Sequence, residues 1–278
     1  MAFTKGGFRH LTCSECGTLY ISPRPTLDML MDYYRTAMSV RHWNDAIFPV
    51  TEELRSEEIL TPRMWHVLKA RQRFEVEPWK FVDVGAGFGT FCHMVKRSGH
   101  FSNVIAVEPS HELAESCRGK GLEVLEGAIE AVDLESASVI TAFELIEHLF
   151  SPRDFLKGCH KALFVGGLLI LTTPNIKGFD LAMLGELSQN IGGPNHLQLF
   201  HPDSLRHLMV ECGFEVLEWS TPGKLDADIV LTQIVREGFE AGPFLGPMLK
   251  DVVPREAFQK FLVEQHLSSH MLMIARKA

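Results

Sequence analysis

Residues 81–91 read FVDVGAGFGTF, an apolar run that passes directly into a loop with glycine at positions 85, 87 and 89. Phe81, Val82 and Val84 have the composition of a buried strand, and the segment after Gly89 reads as a helix. Glycine permits the sharp turn between them and lets a ligand approach where a Cβ would collide. The stretch therefore predicts a strand, a tight turn and a helix with a nucleotide-like cofactor at the strand end. A glycine turn with no ligand is the competing reading. A dinucleotide fingerprint requires G-x-G-x-x-G, whereas this loop is G-x-G-x-G with Thr90 where the third glycine of that fingerprint would fall, which disfavours a nicotinamide oxidoreductase. Asp83 lies two residues before the first glycine.

A second acid follows at a telling place. Residues 103–108, NVIAVE, form a short apolar strand that ends in Glu108. Ligands of open α/β sheets bind at the carboxyl ends of strands, where an acid can accept both hydroxyls of a ribose. The alternative is a solvated turn acid before a helix, which Pro109 and Ser110 would also suit.

The rest of the chain extends the alternation. Helices are expected over 90–98, 111–120 and 154–164, and strands over 103–108, 122–125, 139–143 and 168–173, with Gly166 and Gly167 ending the third helix and Pro174 and Asn175 the last of these strands. A helix over 203–212, with Asp203 as its N-cap, leads to strands at 214–220 and 271–277. Strand and helix in alternation imply a parallel sheet.

The motifs FVDVGAGFGTF, VIAVEPS (104–110), FELIEHL (143–149), GGLLILTTPN (166–175) and NHLQLFHPDSL (195–205) resemble those of class I S-adenosylmethionine-dependent methyltransferases, in particular the broad group containing quinone-biosynthesis O-methyltransferases and sugar or natural-product methyltransferases. The resemblance covers about residue 80 to the last residue. It implies an α/β, Rossmann-like sheet of seven strands with the last strand antiparallel, helices on both faces and helical additions at the N-terminal side. It also implies S-adenosylmethionine as cofactor and S-adenosylhomocysteine as product. Gly85 and Gly87 would approach the methionine part, Glu108 the ribose, the backbone around Ala128 and Ile129 the adenine, and Phe143 the sulfonium; Asp83, Ala86 and Gly89 are the remaining candidate cofactor-binding residues.

Methyl transfer to a hydroxyl needs alignment, exclusion of water and a base. His148 and His196, with Glu147, are the candidates, and a structural hydrogen-bonding role is open for each. In the run Glu144, Glu147, His148, spacings of three and four would put all three side chains on one helical face, where a divalent cation could sit. The resemblance adds that similar runs bind such a cation in some quinone methyltransferases, while in others they hold the loop. The expectation is no metal, with Glu144, Glu147 and His148 as the weak candidates.

Cys13 and Cys16 form a second weak metal candidate. LTCSECGTLYISPRP resembles half of a zinc ribbon, but a tetrahedral zinc needs four ligands and the other cysteine pair is absent. A packing hairpin is the reading preferred. The remaining four of the six cysteines fall in predicted helices and suit a buried, reduced role.

Three segments are expected: 1–24 ribbon-like, 25–78 a helical cover and 79–278 the catalytic domain, with an insertion at 221–267 before the last strand. Tyr33, Tyr34, Arg41, His42 and Trp43 could line a lid or pack on the main domain. A formal charge of −8 argues against a nucleic-acid binder, and no run is apolar enough for a membrane span, which makes the cytoplasm the expected location. The expected partner is a small molecule; oligomeric state is left open. The predicted activity is methylation of a small molecule, at oxygen of a sugar, saccharide or natural-product scaffold. Metal-assisted methylation of a quinone or catechol and a non-catalytic binding domain are the alternatives.

Overall fold

The computed structural model describes residues 2–38, 42 and 46–278. Arg41 and Trp43, expected near a lid, lie outside the described residues. Contacts divide the chain into two compact units, one comprising 25–171, 208–217 and 274–278, the other 1–24, 172–207 and 218–273.

The seven-stranded sheet is built from β4 (Lys80–Val84), β5 (Asn103–Glu108), β6 (Glu123–Glu126), β7 (Ala137–Phe143), β8 (Leu163–Pro174), β10 (Phe214–Ser220) and β11 (His270–Lys277) in the order β10-β11-β8-β7-β4-β5-β6. β4 pairs in parallel with β5 and β7, and β5 with β6, with an antiparallel pair at the far end. The order reverses around β4, so the crevice at its carboxyl end is the place where such sheets bind ligands. Its central strands are buried on both faces and mostly apolar: Phe81–Val84 of β4, Ala137–Ala142 of β7 and Leu168–Leu171 of β8 are buried.

In the first unit, α4 (Thr90–Ser98) and α5 (His111–Gly119) are the crossovers that parallel pairing requires. Ahead of β4 come α1 (Leu27–Thr36), α2 (Phe48–Arg55), a π-turn at Ser56–Leu60 and α3 (Thr61–Arg73). The helix expected at 154–164 is α6, Pro152–Ala162. Ser151 caps it by accepting from the Asp154 N–H, and Pro152 fits its first turn, so it starts and ends two residues early. Residues 163–167 belong instead to β8. Gly167 ends no helix: a Cβ there would stand 3.0 Å from the Ala137 carbonyl oxygen.

In the second unit, residues 2–24 form a meander of β1 (Ala2–Lys5), β2 (Phe8–Thr12) and β3 (Leu19–Ile21) that continues into β9 (Gln198–Leu199). The end of the run 192–200 is this strand, antiparallel to β3, and Phe200 bridges Asn175. Leu19, Leu181, Ile191 and Leu199 close a small core there. After α7 (Phe179–Leu184) and α8 (Pro202–Glu211), the insertion forms α9 (Asp226–Glu237), α10 (Gly242–Lys250) and α11 (Val252–Glu264). Asp203 lies inside the first turn of α8 and is not its cap; the Ser204 hydroxyl accepts from the His201 N–H instead. Leu184, Ala227, Val230 and Leu249 form the core of that helical group.

Candidate active site

The loop after β4 is held by the acid that ends β5. Glu108 Oε2 accepts from the Gly87 N–H at 2.8 Å, and Oε1 accepts from the Ser110 N–H at 2.9 Å. The Gly85 N–H donates to the Val107 carbonyl at 2.9 Å, so loop and strand end are fixed together. Gly85, Gly87 and Gly89 all have positive φ. Two of them show different uses of glycine. A Cβ at Gly89 would lie 2.8 Å from Cys117 Sγ and 3.2 Å from its Cα, so helix packing requires glycine there. At Gly87 nothing lies within 4 Å of the Cβ position, so a ligand can reach this backbone.

Glu108 is nearly buried, and burial pushes its carboxyl up, opposed by the two N–H donors. Asp83, also buried, accepts from Thr141 Oγ1 at 2.7 Å. Burial pushes its pKa up to about 7; the Thr141 bond and the charge of Arg63 hold it down, and Glu108 adds to the rise. A carboxyl poised near neutrality at the foot of the glycine loop suits a cationic ligand. Of the expected adenine contacts, Ala128 is exposed and Ile129 is buried in the turn that follows β6, where the Gly127 N–H donates to the Glu108 carbonyl at 3.1 Å. Phe143, at the end of β7, packs edge-on against Phe91 at 5.0 Å and lies under the Arg63 guanidinium at 4.8 Å.

The acidic run after β7 does not form the expected single face. Glu144 adopts a φ of 51° outside the turn, and its Oε1 accepts from Arg63 Nη2 at 2.9 Å. Only Ile146–His148 turns helically, as a single 3-10 turn, which is too short to align residue 144 with 147 and 148. Glu147 is buried with Oε1 3.6 Å from His148 Nε2. In the other unit, His196 is half-buried with Nδ1 2.6 Å from the Asn190 carbonyl. Cys13 and Cys16 are free, half-buried thiols on the β2–β3 turn; Cys16 Sγ donates to Thr18 Oγ1 at 3.2 Å, and no group of three metal-ligating side chains forms around them among the described residues.

Several residues at the site carry no motif. Phe48 of α2 stacks on Phe88 of the glycine loop at 4.2 Å, and Glu52 Oε1 accepts from Thr90 Oγ1 at 2.5 Å and lies 3.8 Å from Lys120 Nζ. Arg63 of α3 reaches Phe143 and Glu144. The only signal for them was the helical cover expected over 25–78. An Arg63→Ala variant is expected to lose roughly 1 kcal/mol of stability, because it removes the partly exposed Glu144 ion pair; unchanged stability by denaturant titration would contradict the contact.

Residues 57–218 match the profile of a methyltransferase domain. The chain belongs to this methyltransferase-domain family. Curated relatives include ubiquinone biosynthesis O-methyltransferases from Maricaulis maris, 34% identical over 39% of this chain and 46% of the relative, and from Caulobacter sp., 32% identical over 41% and 48%. The chain thus spans about half the length of the curated relatives it matches. Among solved structures, a methyltransferase described as a possible histamine N-methyltransferase from Thermotoga maritima aligns over 86% of this chain and 99% of its own with a TM-score of 0.53 at 20% identity. A putative methyltransferase in complex with the Trm112 activator from Haloferax volcanii aligns over 84% and 96% with a TM-score of 0.57 at 16% identity. These likenesses show the class I methyltransferase fold. No helix among the described residues is long and apolar enough to cross a membrane.

Proposed function

We propose that this chain is an S-adenosylmethionine-dependent methyltransferase that methylates a hydroxyl of a small molecule, with a sugar, saccharide or natural-product scaffold as the acceptor class. The observation that carries the reading is the glycine loop tied by Glu108, with the one open glycine, Gly87, at the point of attachment. The residues fit the cofactor. Glu108 offers a carboxylate to the ribose hydroxyls, the loop 85–89 gives the methionine part room, and Asp83 supplies negative charge beneath it. When bound, the cofactor supplies an electrophilic methyl group on sulfur. The protein's own task is to align the acceptor, exclude water and take up the hydroxyl proton, and alignment alone is worth on the order of 7–11 kcal/mol in favourable cases. Phe143, held by Phe91 and Arg63, is a rigid wall for that site. His148 is the base we assign, with the buried Glu147 carboxylate orienting it and stabilising its protonated form. His196 is the alternative base.

Titration calorimetry tests this reading, with S-adenosylmethionine and S-adenosylhomocysteine as ligands and NAD as control. Micromolar binding of the sulfur ligands supports it; tighter binding of NAD overturns it. Asp83 adds a pH signature. Because its pKa is raised to about 7, it is protonated below that value in the free protein and must ionise to meet a cationic ligand. Affinity for S-adenosylmethionine is therefore expected to rise between pH 5.5 and 7.5 by roughly tenfold, with proton release visible as a buffer-dependent heat. Asp83→Asn should flatten the profile, and an equally steep profile in that variant would exclude Asp83 as its source.

The curated relatives, named as ubiquinone biosynthesis O-methyltransferases, favour a second reading in which the acceptor is a catechol or quinol and a divalent cation assists. Glu147 and His148 are the ligands this reading would use. Loss of catechol methylation with a chelator and its return with magnesium or zinc would select it.

A further inference from the structure

One group of buried polar residues lies outside the cofactor site. Asp180, the second residue of α7, is completely buried, and neither of its carboxyl oxygens has a hydrogen-bond partner. A charged carboxylate left so would be costly, whereas a neutralised one is tolerable. Asp226, the first residue of α9, is buried beside it and well supplied: Oδ1 accepts from the Ser269 N–H at 2.5 Å, and Oδ2 accepts from Ser268 Oγ and Gln259 Nε2, each at 2.7 Å. Ser269 Oγ in turn accepts from the N–H groups of Asp180 and Leu181. The two residues before β11 thus join the N-terminal ends of two helices. They also hold the segment that leaves β8: the Asn175 N–H donates to the Ser269 carbonyl at 2.7 Å, Asn175 Nδ2 to the Ser268 carbonyl at 3.0 Å and the Phe179 N–H to the Leu267 carbonyl at 2.8 Å.

We propose that Asp180 and Asp226 hold one proton between them, and that this acid–carboxylate pair positions residues 175–181, the exit of β8, against the start of β11. Two ionised carboxylates are acceptors only and repel at contact; one proton gives a donor to the pair and removes the repulsion. Among the described residues the hydrogen-bond partners of the pair are neutral groups. On α9 the next acid, Asp228, pairs with Arg255 of α11 at 2.8 Å, and Arg255 also donates to the Leu249 carbonyl. Gln259 of α11 is neutral, Lys177, Lys224 and His266 are exposed, and His270 of β11 is half-buried. The acid acting on Asp180 is Asp226. Burial, with the charge of Asp226 adding to it, pushes Asp180 up to about 6. The proton is therefore bound below that pH and lost as pH rises through it, so the clasp weakens on the alkaline side. The shared proton does not rest on the methyltransferase reading.

Infrared difference spectroscopy of the full chain between pH 5 and 8, with Asp180→Asn as reference, tests the pair without using activity. The expected result is a protonated-carboxyl band that disappears with a midpoint near 6 and is absent from the variant. In parallel, the wild-type melting temperature should fall by about 5 °C between pH 5 and 8, and Asp180→Asn, which keeps the shape but cannot ionise, should lose most of that fall. A protein in which Asp180 is ionised at pH 5, or whose melting follows pH identically in wild type and variant, overturns the proposal. So does a carboxylate band that shifts on adding magnesium or calcium, since a metal ion and not a proton would then neutralise the pair.

Discussion

Glu108→Ala is expected to weaken S-adenosylhomocysteine binding by about 10²-fold or more, the largest effect of any single change at the cofactor site. The carboxylate has two tasks. In the free protein it accepts the Gly87 and Ser110 N–H groups and so fixes the loop; with a ribose present it accepts the hydroxyls. Hydrogen bonds to a charged group contribute ~1.5–3 kcal/mol each, so losing two costs about 3 kcal/mol or more, which is the stated factor. Glu108→Gln keeps the shape and one acceptor and should lose less, roughly tenfold. Calorimetry on both variants, with circular dichroism to confirm that the fold persists, separates these outcomes. Wild-type affinity in Glu108→Ala would remove the ribose assignment and with it the main support for the cofactor.

Gly178→Ala is the second, and its expected effect is on stability. A Cβ at position 178 would lie 2.1 Å from Ser269 Cα and 2.4 Å from Ser269 N. These are backbone atoms of the segment that hydrogen-bonds Asp226 and Asn175, so no rotamer change relieves the clash. The cost should exceed about 3 kcal/mol, in the range of overpacking that forces a backbone shift. Gly246→Ala is the control. It lies in α10 with nothing within 4 Å of its Cβ position, and alanine is better than glycine in a helix by about 1 kcal/mol. Denaturant titration that found the two substitutions equivalent would mean that 178 and 269 do not approach as closely as described.

Much of the fold was legible in the chain. Helix 90–98 and strands 103–108 and 214–220 stand at the residues expected, because each is bounded by local signals: glycine with positive φ before α4 and after it, Pro109 after β5, Gly213 before β10. The elements read less well show why local signals fail. Gly166 and Gly167 resembled a helix end, yet one of them serves the close approach to the Ala137 carbonyl, and glycine is compatible with both uses. β9 has two residues, too few for any periodicity, and exists because β3 offers it a partner.

The candidate site divides in the same way. Asp83, the glycine loop and Glu108 could be named from sequence because a strand end, a forced backbone conformation and an acid are written in contiguous residues. Thr141 under Asp83, Phe48 on Phe88 and Arg63 on Glu144 could not, because nothing near them in the chain specifies those partners. Sequence by itself determined the alternation of strand and helix, the glycine loop and the acid that follows it, since these depend on φ preferences and apolar period. Tertiary structure alone decided that Asp180 is buried without a partner beside Asp226, and that Glu144 leaves the run of Glu147 and His148 for Arg63. The partner of a polar side chain is set by which distant surfaces pack together and how much water they exclude, and desolvation of that kind leaves no pattern in the local sequence.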